Sequence, residues 1–245
     1  MGEPEPDNFH FSHVHPTLIM KLCSKLKPKT SSGPDHISTK VLKIIIPFIL
    51  EPFCHLLNLL FETGFIHNEI KIAKVVPVFK SGERDDFNNY RPISLLSCFS
   101  KLFEKVVAQQ VMYFINHRDI LYMHQYGFRK NHNTSHPVMH FLDKIYSSLN
   151  KQTPEFTIGI FIDLKKAFDT VDHQILFKKL AFYGFRGVSN VWFQNYLLGR
   201  SQFVNIKGVN SLIKNMDCGV PQGSVLGHLL FLIFIKKAKN TTAFV

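Results

Sequence analysis

Three groups of residues in this 245-residue chain have types suited to chemistry on anions or with hard cations. Asp163 closes a run in which Phe156, Ile158, Ile160 and Ile162 alternate with Thr157, Gly159, Phe161 and Asp163 itself. Alternation of this kind predicts a strand over Phe156 to Leu164, with one apolar face and a second face leading along small residues to the carboxylate. A carboxylate at a strand end can hold a hard divalent cation or cap the turn that follows; residue types alone favour the cap. Lys80 and Arg91 bracket a polar loop. Arginine suits bidentate phosphate contacts and lysine acts as a point charge, although Lys80 by itself equally fits a solvated surface. Pro221-Gln222-Gly223 reads as a turn in which the glycine permits close backbone approach. Other candidates are weaker. His10, His13 and His15 have no carboxylate partner nearby, and His136 and His140, four apart on a helix, fall in a polar stretch around Pro137 that reads as exposed. The four cysteines form no CxxC, and there is no P-loop, GxSxG or HExxH.

The elements that must position these residues follow from composition and punctuation. Hydrophobic residues make up 45% of the chain, including 24 Phe, which argues for a packed core and against disorder. Lys and Arg outnumber Asp and Glu by 29 to 18, a net charge of +11, spread along the chain as suits either a long groove following a phosphate backbone or a solvated basic surface. The longest apolar stretch, Ile44 to Leu60, is broken by Pro47, Glu51, Pro52 and His55, so no membrane span is expected, and the start has no secretory pattern. The chain reads as intracellular and reduced. Residues 1–12 read as a loose lead-in. Helices are expected from Ser38 or Thr39 to Ile46, from Phe53 to Thr63 with Gly64 after it, from a Ser100 cap onward, from Pro137 to Leu149, from Asp172 to about Tyr183, and from Ser224 to Ile235. Ile72 to Phe79 is a strand that Pro77 marks as an edge. Gln202 to Lys207 and Ser211 to Met216 can pair as a hairpin across Gly208 to Asn210. Such a mixture predicts an α+β chain.

Five blocks, in order, carry a family resemblance: Ser32–Ile37 (SGPDHI), Pro77–Gly82 (PVFKSG) with Asn89–Leu95 (NYRPISL), His124–Arg129 (HQYGFR), Phe161–His173 (FIDLKKAFDTVDH) and Cys218–Phe231 (CGVPQGSVLGHLLF). Together they resemble the reverse transcriptases of non-LTR (LINE-type) retrotransposons from about Phe9 to Phe231. The resemblance implies a right-hand polymerase, with fingers over about 13–155, a partial palm over about 156–235, and no thumb before a divergent basic tail at 236–245. It implies that Asp163, with the backbone carbonyl of Leu164, ligates one of two Mg²⁺ ions that would stand about 3.5–4 Å apart in nucleotidyl transfer. Asp169 and Asp172 then remain structural, as turn and cap. Phe168, five residues beyond Asp163, matches the ring that excludes a ribose 2′-hydroxyl, with core packing as the rival role. Gln222 and Gly223 would line the incoming nucleotide, and Lys80 and Arg91 would contact its triphosphate. The partners implied are an RNA template, a DNA primer and deoxynucleotides.

The chain also departs from that pattern. The family's Asp-Asp pair follows the block at 218–231, whereas Asp85-Asp86 lies before Asp163 and Lys236-Lys237 stands where the patterns diverge. His228 replaces a usual Pro and His36 a usual Gly. One carboxylate cannot hold two Mg²⁺ ions in useful geometry, so this polypeptide is expected not to polymerise DNA alone. An unpaired strand at Asp163 would favour self-association. An RNA-directed DNA polymerase domain fragment and a non-catalytic nucleic-acid-binding remnant share this fold, and a maturase-like splicing cofactor is a further, weaker fit.

Overall fold

Short polar side chains set the helix starts. In the computed structural model, which describes residues 3–151, 153 and 156–236, Ser38 Oγ accepts from the Val41 N–H and opens α2 (Thr39–Ile45). Asp172 accepts from the Ile175 N–H and opens α6 (His173–Phe182). Ser224 accepts from the Gly227 N–H and opens α8 (Val225–Ile235). Each side-chain oxygen satisfies one of the N–H groups that a helix leaves free at its start. The longest helix, α4 (Cys98–His117), is capped by Ser97 and not by Ser100, which lies buried inside it. Helices α1 (Pro16–Ser24), α3 (Leu50–Thr63), α5 (Ser135–Leu149) and α7 (Val188–Leu197) complete the set. Gly64 ends α3 at φ 71°, a left-handed value that glycine adopts without steric cost.

The sheet is mixed. Strand β1 (Ile72–Phe79) pairs antiparallel with β2 (Tyr90–Leu95) and parallel with β3 (Ser201–Ile206), so it is central and not an edge. The two sides differ in extent. Pairing with β3 covers only Ile72 to Val75, whereas pairing with β2 runs on through Pro77, opposite Pro92, to Phe79. The missing proline N–H therefore falls beyond the reach of β3. β3 turns back through Lys207 and Gly208, both at positive φ, into β4 (Val209–Asn210), so the turn starts one residue and the return strand two residues earlier than the sequence suggests. It also pairs with β5 (Lys214–Asn215) in a register shifted by one.

Helix faces build the core. Trp192, Phe193, Tyr196 and Leu197 of α7, Leu102, Val106, Val107 and Val111 of α4, and most of α8 are buried together. An apolar residue on every side of α8 fits a helix enclosed by protein. Residues 3–12 hold no helix or strand, yet they are not loose. Phe9 is 3% exposed, its N–H donates to Gly184 O, and Asp7 pairs with Arg118. Among the described residues no single helix is long and apolar enough to cross a membrane. The tail at 237–245 lies outside the described residues.

The expected strand at Phe156 to Leu164 is absent. The segment belongs to no helix or strand, and Phe156, Ile158, Ile160, Phe161 and Ile162 are each more than four-fifths exposed. Alternation says which residues share a face; a strand also needs a neighbour to take its N–H and C=O groups. Among the described residues no strand pairs with this run. The α+β expectation holds for the rest.

Candidate functional site

The β1–β2 hairpin aligns the two candidate phosphate contacts. Arg91 stands opposite Val78, and the Lys80 N–H donates to Asn89 O at 2.8 Å, which continues the ladder past Phe79. Because side chains alternate, Lys80 shares the face of Val78 and Arg91 and lies diagonal to Arg91, about 7–8 Å away in a regular pair. Both are exposed, and among the described residues neither joins an ion pair. Side chains brace the loop between them. Asp86 Oδ1 accepts from the Asn88 N–H, Asn89 Nδ2 donates to Glu83 O, the Tyr90 hydroxyl donates to Arg84 O, and the Arg84 guanidinium covers the Phe79 ring at 4.9 Å.

The turn before α8 meets the other edge of β2. The Ser94 N–H donates to Gln222 O at 2.8 Å. Gly223 sits at φ 112°, and a Cβ there would stand 3.0 Å from Ser94 O, so the approach depends on glycine. Gln222 Oε1 is buried and accepts no hydrogen bond among the described residues. The Ser32–Ile37 block closes on the same region: the Ser97 hydroxyl donates to Asp35 Oδ2 at 2.5 Å.

Two backbone bonds dock the segment after Asp163. The Val220 N–H donates to Phe168 O at 2.9 Å, and the Gly219 N–H donates to Val171 O at 2.8 Å. Gly219 at φ 82° lets the chains touch, since a Cβ would lie 2.9 Å from Asp169 O. Asp172 caps α6 as expected, and the Asp169 N–H donates to Lys166 O in the expected turn. The Phe168 ring is half-buried, 4.9 Å from Phe231 and 5.3 Å from His228. These ring contacts serve core packing, the rival role that the sequence offered for Phe168.

Lys80, Arg91, Gln222, Gly223 and Phe168 are therefore linked through β2 and its neighbours. Asp163 and Leu164 are not. Both are exposed in the unpaired run, and among the described residues no group of three or more His, Cys, Asp or Glu could hold a metal ion. One exposed carboxylate does not fit a two-Mg²⁺ centre. The His13 and His15 rings lie 5.2 Å apart. His136 and His140 are half-buried, not exposed, because Tyr126 and His124 pack on them; the His124 and His140 rings lie 4.2 Å apart. Burial, then His140 and Lys144, lowers the His124 pKa.

Sequence reading missed Glu104. It is fully buried in α4; Oε1 accepts from the Tyr196 hydroxyl at 2.9 Å, and Oε2 accepts from the N–H groups of Val225 at 2.6 Å and Leu226 at 3.3 Å. A carboxylate there meets the free N–H groups and positive end of α8, and so fixes the helix that carries the Gln222 turn. Burial raises its pKa, and Arg200 draws it back down. Its signal in the sequence was an acid three and seven residues before Val107 and Val111, within the apolar stripe of α4.

Comparison with known proteins covers most of the chain. Residues 79–243 match the family model described as reverse transcriptase (RNA-dependent DNA polymerase). The chain is 33% identical over 220 residues to the probable RNA-directed DNA polymerase from transposon BS of Drosophila melanogaster. It is 28% identical over 230 residues to the RNA-directed DNA polymerase from mobile element jockey of Drosophila funebris. It is 27% identical over 223 residues to the probable RNA-directed DNA polymerase from transposon X-element of Drosophila melanogaster. These matches take in 88%, 92% and 89% of this chain but 24% of each relative, so the chain spans about a quarter of their length.

Proposed function

The chain belongs to the reverse transcriptase family, with relatives among non-LTR retrotransposons, and on that premise we propose that it forms the nucleotide- and template-engaging core of an RNA-directed DNA polymerase. In this reading residues of about 13–155 act as fingers and those of about 156–235 as part of the palm. Arg91 and Lys80 grip a triphosphate, the Gln222–Gly223 turn lines base and sugar, and Phe168 bars a 2′-hydroxyl. RNA template and DNA primer follow the basic surface that a +11 charge provides. The observation that carries the reading is the convergence on β2: two unpaired cations on one face, and on its far edge a turn with an unused buried acceptor.

Titration of the purified chain with dATP, in the presence of an RNA-template and DNA-primer duplex, tests it. Saturable binding that Arg91→Ala weakens about tenfold or more is expected, since a hydrogen bond to a charged group contributes about 1.5–3 kcal/mol. Absence of saturation, or indifference to Arg91→Ala, speaks against the site.

Asp163 and the Leu164 carbonyl do not, as they stand, make a metal centre. No chemical step is assigned through magnesium, and this polypeptide alone is proposed to bind without polymerising. That same single carboxylate favours a second reading, a nucleic-acid-binding remnant without catalysis. It differs by its indifference to deoxynucleotides: duplex binding that weakens with salt but no dATP saturation would select it.

A further inference from the structure

Phe128 holds its backbone at φ 58°, a region that residues with a Cβ avoid and that persists where the surroundings over-determine it. What this conformation provides is a ring contact. The Phe128 ring centroid lies 4.6 Å from that of His228 and 6.1 Å from that of Phe168. His228, one helical turn after the cap Ser224, meets the Phe168 ring nearly edge-on, at 5.3 Å and 78°. Phe231, three residues further along the same face of α8, closes the inner side at 4.9 Å. Three segments distant in sequence therefore converge on one ring. Phe168 and His228 are half-buried and Phe128 is exposed, so the cluster stands at the rim of the core, where filling a cavity does not require it.

We propose that Phe128 and His228 are positioning residues for sugar selection, holding the Phe168 ring in the orientation that excludes a 2′-hydroxyl. This rests on the nucleotide-site reading above. Neither residue touches the nucleotide; each acts by limiting the side-chain torsions open to Phe168. Edge-to-face contacts of this kind fix a ring's tilt as well as its place. With one support removed, the ring turns toward the vacated space, and a ribonucleotide gains room it lacked. The signature is a gain of ATP binding. A purely structural role would weaken both nucleotides and strengthen neither.

The experiment measures dATP and ATP affinities of the purified chain with the template–primer duplex, for the native sequence, Phe128→Ala, His228→Leu and Phe168→Ala. His228→Leu keeps most of the side-chain volume on α8, and the exposed Phe128 can be truncated without opening the core. The native chain is expected to favour dATP about tenfold, Phe168→Ala to favour neither, and each supporting variant to tighten ATP about threefold, the size of change that losing one aromatic ring contact produces. A native chain that discriminates, with ATP binding unchanged or weaker in both supporting variants, overturns this inference alone. A native chain that binds neither nucleotide overturns the site reading and this inference with it.

Discussion

Replacing Glu104 separates a clamp from a passive buried acid. In Glu104→Ala the Tyr196 hydroxyl and the Val225 and Leu226 N–H groups lose their acceptor, and the buried Arg200 guanidinium, stacked on Tyr196 at 5.0 Å, loses its nearby carboxylate. Each of these three orphaned donors costs about 1 kcal/mol or more, and the space left by the buried side chain adds to that. The expected cost is about 4 kcal/mol, or about 8–16 °C in melting temperature for a chain of this size. Glu104→Gln keeps an oxygen for the helix N–H groups and turns its amide toward the Tyr196 hydroxyl, which can rotate to accept. Since burial raises the carboxyl pKa, the neutral form suits the site, and Gln should cost about 1 kcal/mol or less. The pH dependence has a definite sign. With the folded pKa above the unfolded one, the folded state holds more protons between the two values, so the Glu104 contribution is full below the unfolded pKa and falls as pH rises toward the folded one. The Gln variant lacks that slope and should gain on the native chain as pH rises above the ordinary glutamate range. Urea unfolding followed by circular dichroism at several pH values is the assay. An Ala variant within about 1 kcal/mol of the native chain, or a Gln variant losing ground as pH rises, refutes the clamp.

Further outcomes follow from single features. His36 occupies φ 57°, where a Cβ is strained, so His36→Gly should stabilise by about 1 kcal/mol, net of glycine's entropy; an unchanged or lower melting temperature contradicts this. The exposed run Phe156 to Leu164 offers unpaired backbone and large apolar side chains, so the chain is proposed to self-associate, with Ile160→Asp shifting it toward monomer. Light scattering that finds a native monomer at high concentration would set that aside. Primer extension on an RNA template should be undetectable for this polypeptide, and extension abolished by Asp163→Ala would reverse the proposal that it is catalytically incomplete.

Local signals were readable where a single residue decides the outcome. Ser38, Asp172 and Ser224 cap α2, α6 and α8, and Gly64 ends α3, because each satisfies or permits a backbone group within a few residues of itself. Non-local pairing was not readable. Pro77 forbids only its own hydrogen bond, and the pairing of β1 with β3 ends at Val75 before reaching it, so a proline sits in a central strand. The alternation ending at Asp163 described a face but not a partner, and the segment stays unpaired. Of the site, the residue types at Lys80, Arg91, Phe168 and Gln222 were legible from motif spelling. Their linkage through Ser94, Val220 and His228 needed the fold. Glu104 was hidden because a lone acid in a helix reads as surface until the facing helix start is known.

Photo-crosslinking with 8-azido-dATP on the template–primer complex, followed by peptide mapping, bears most directly on the proposed nucleotide site at β2. Adducts are expected within residues 78–95 and 218–228, with loss of both on competition by excess dATP. Adducts that fall elsewhere, or that excess dATP leaves in place, would contradict it.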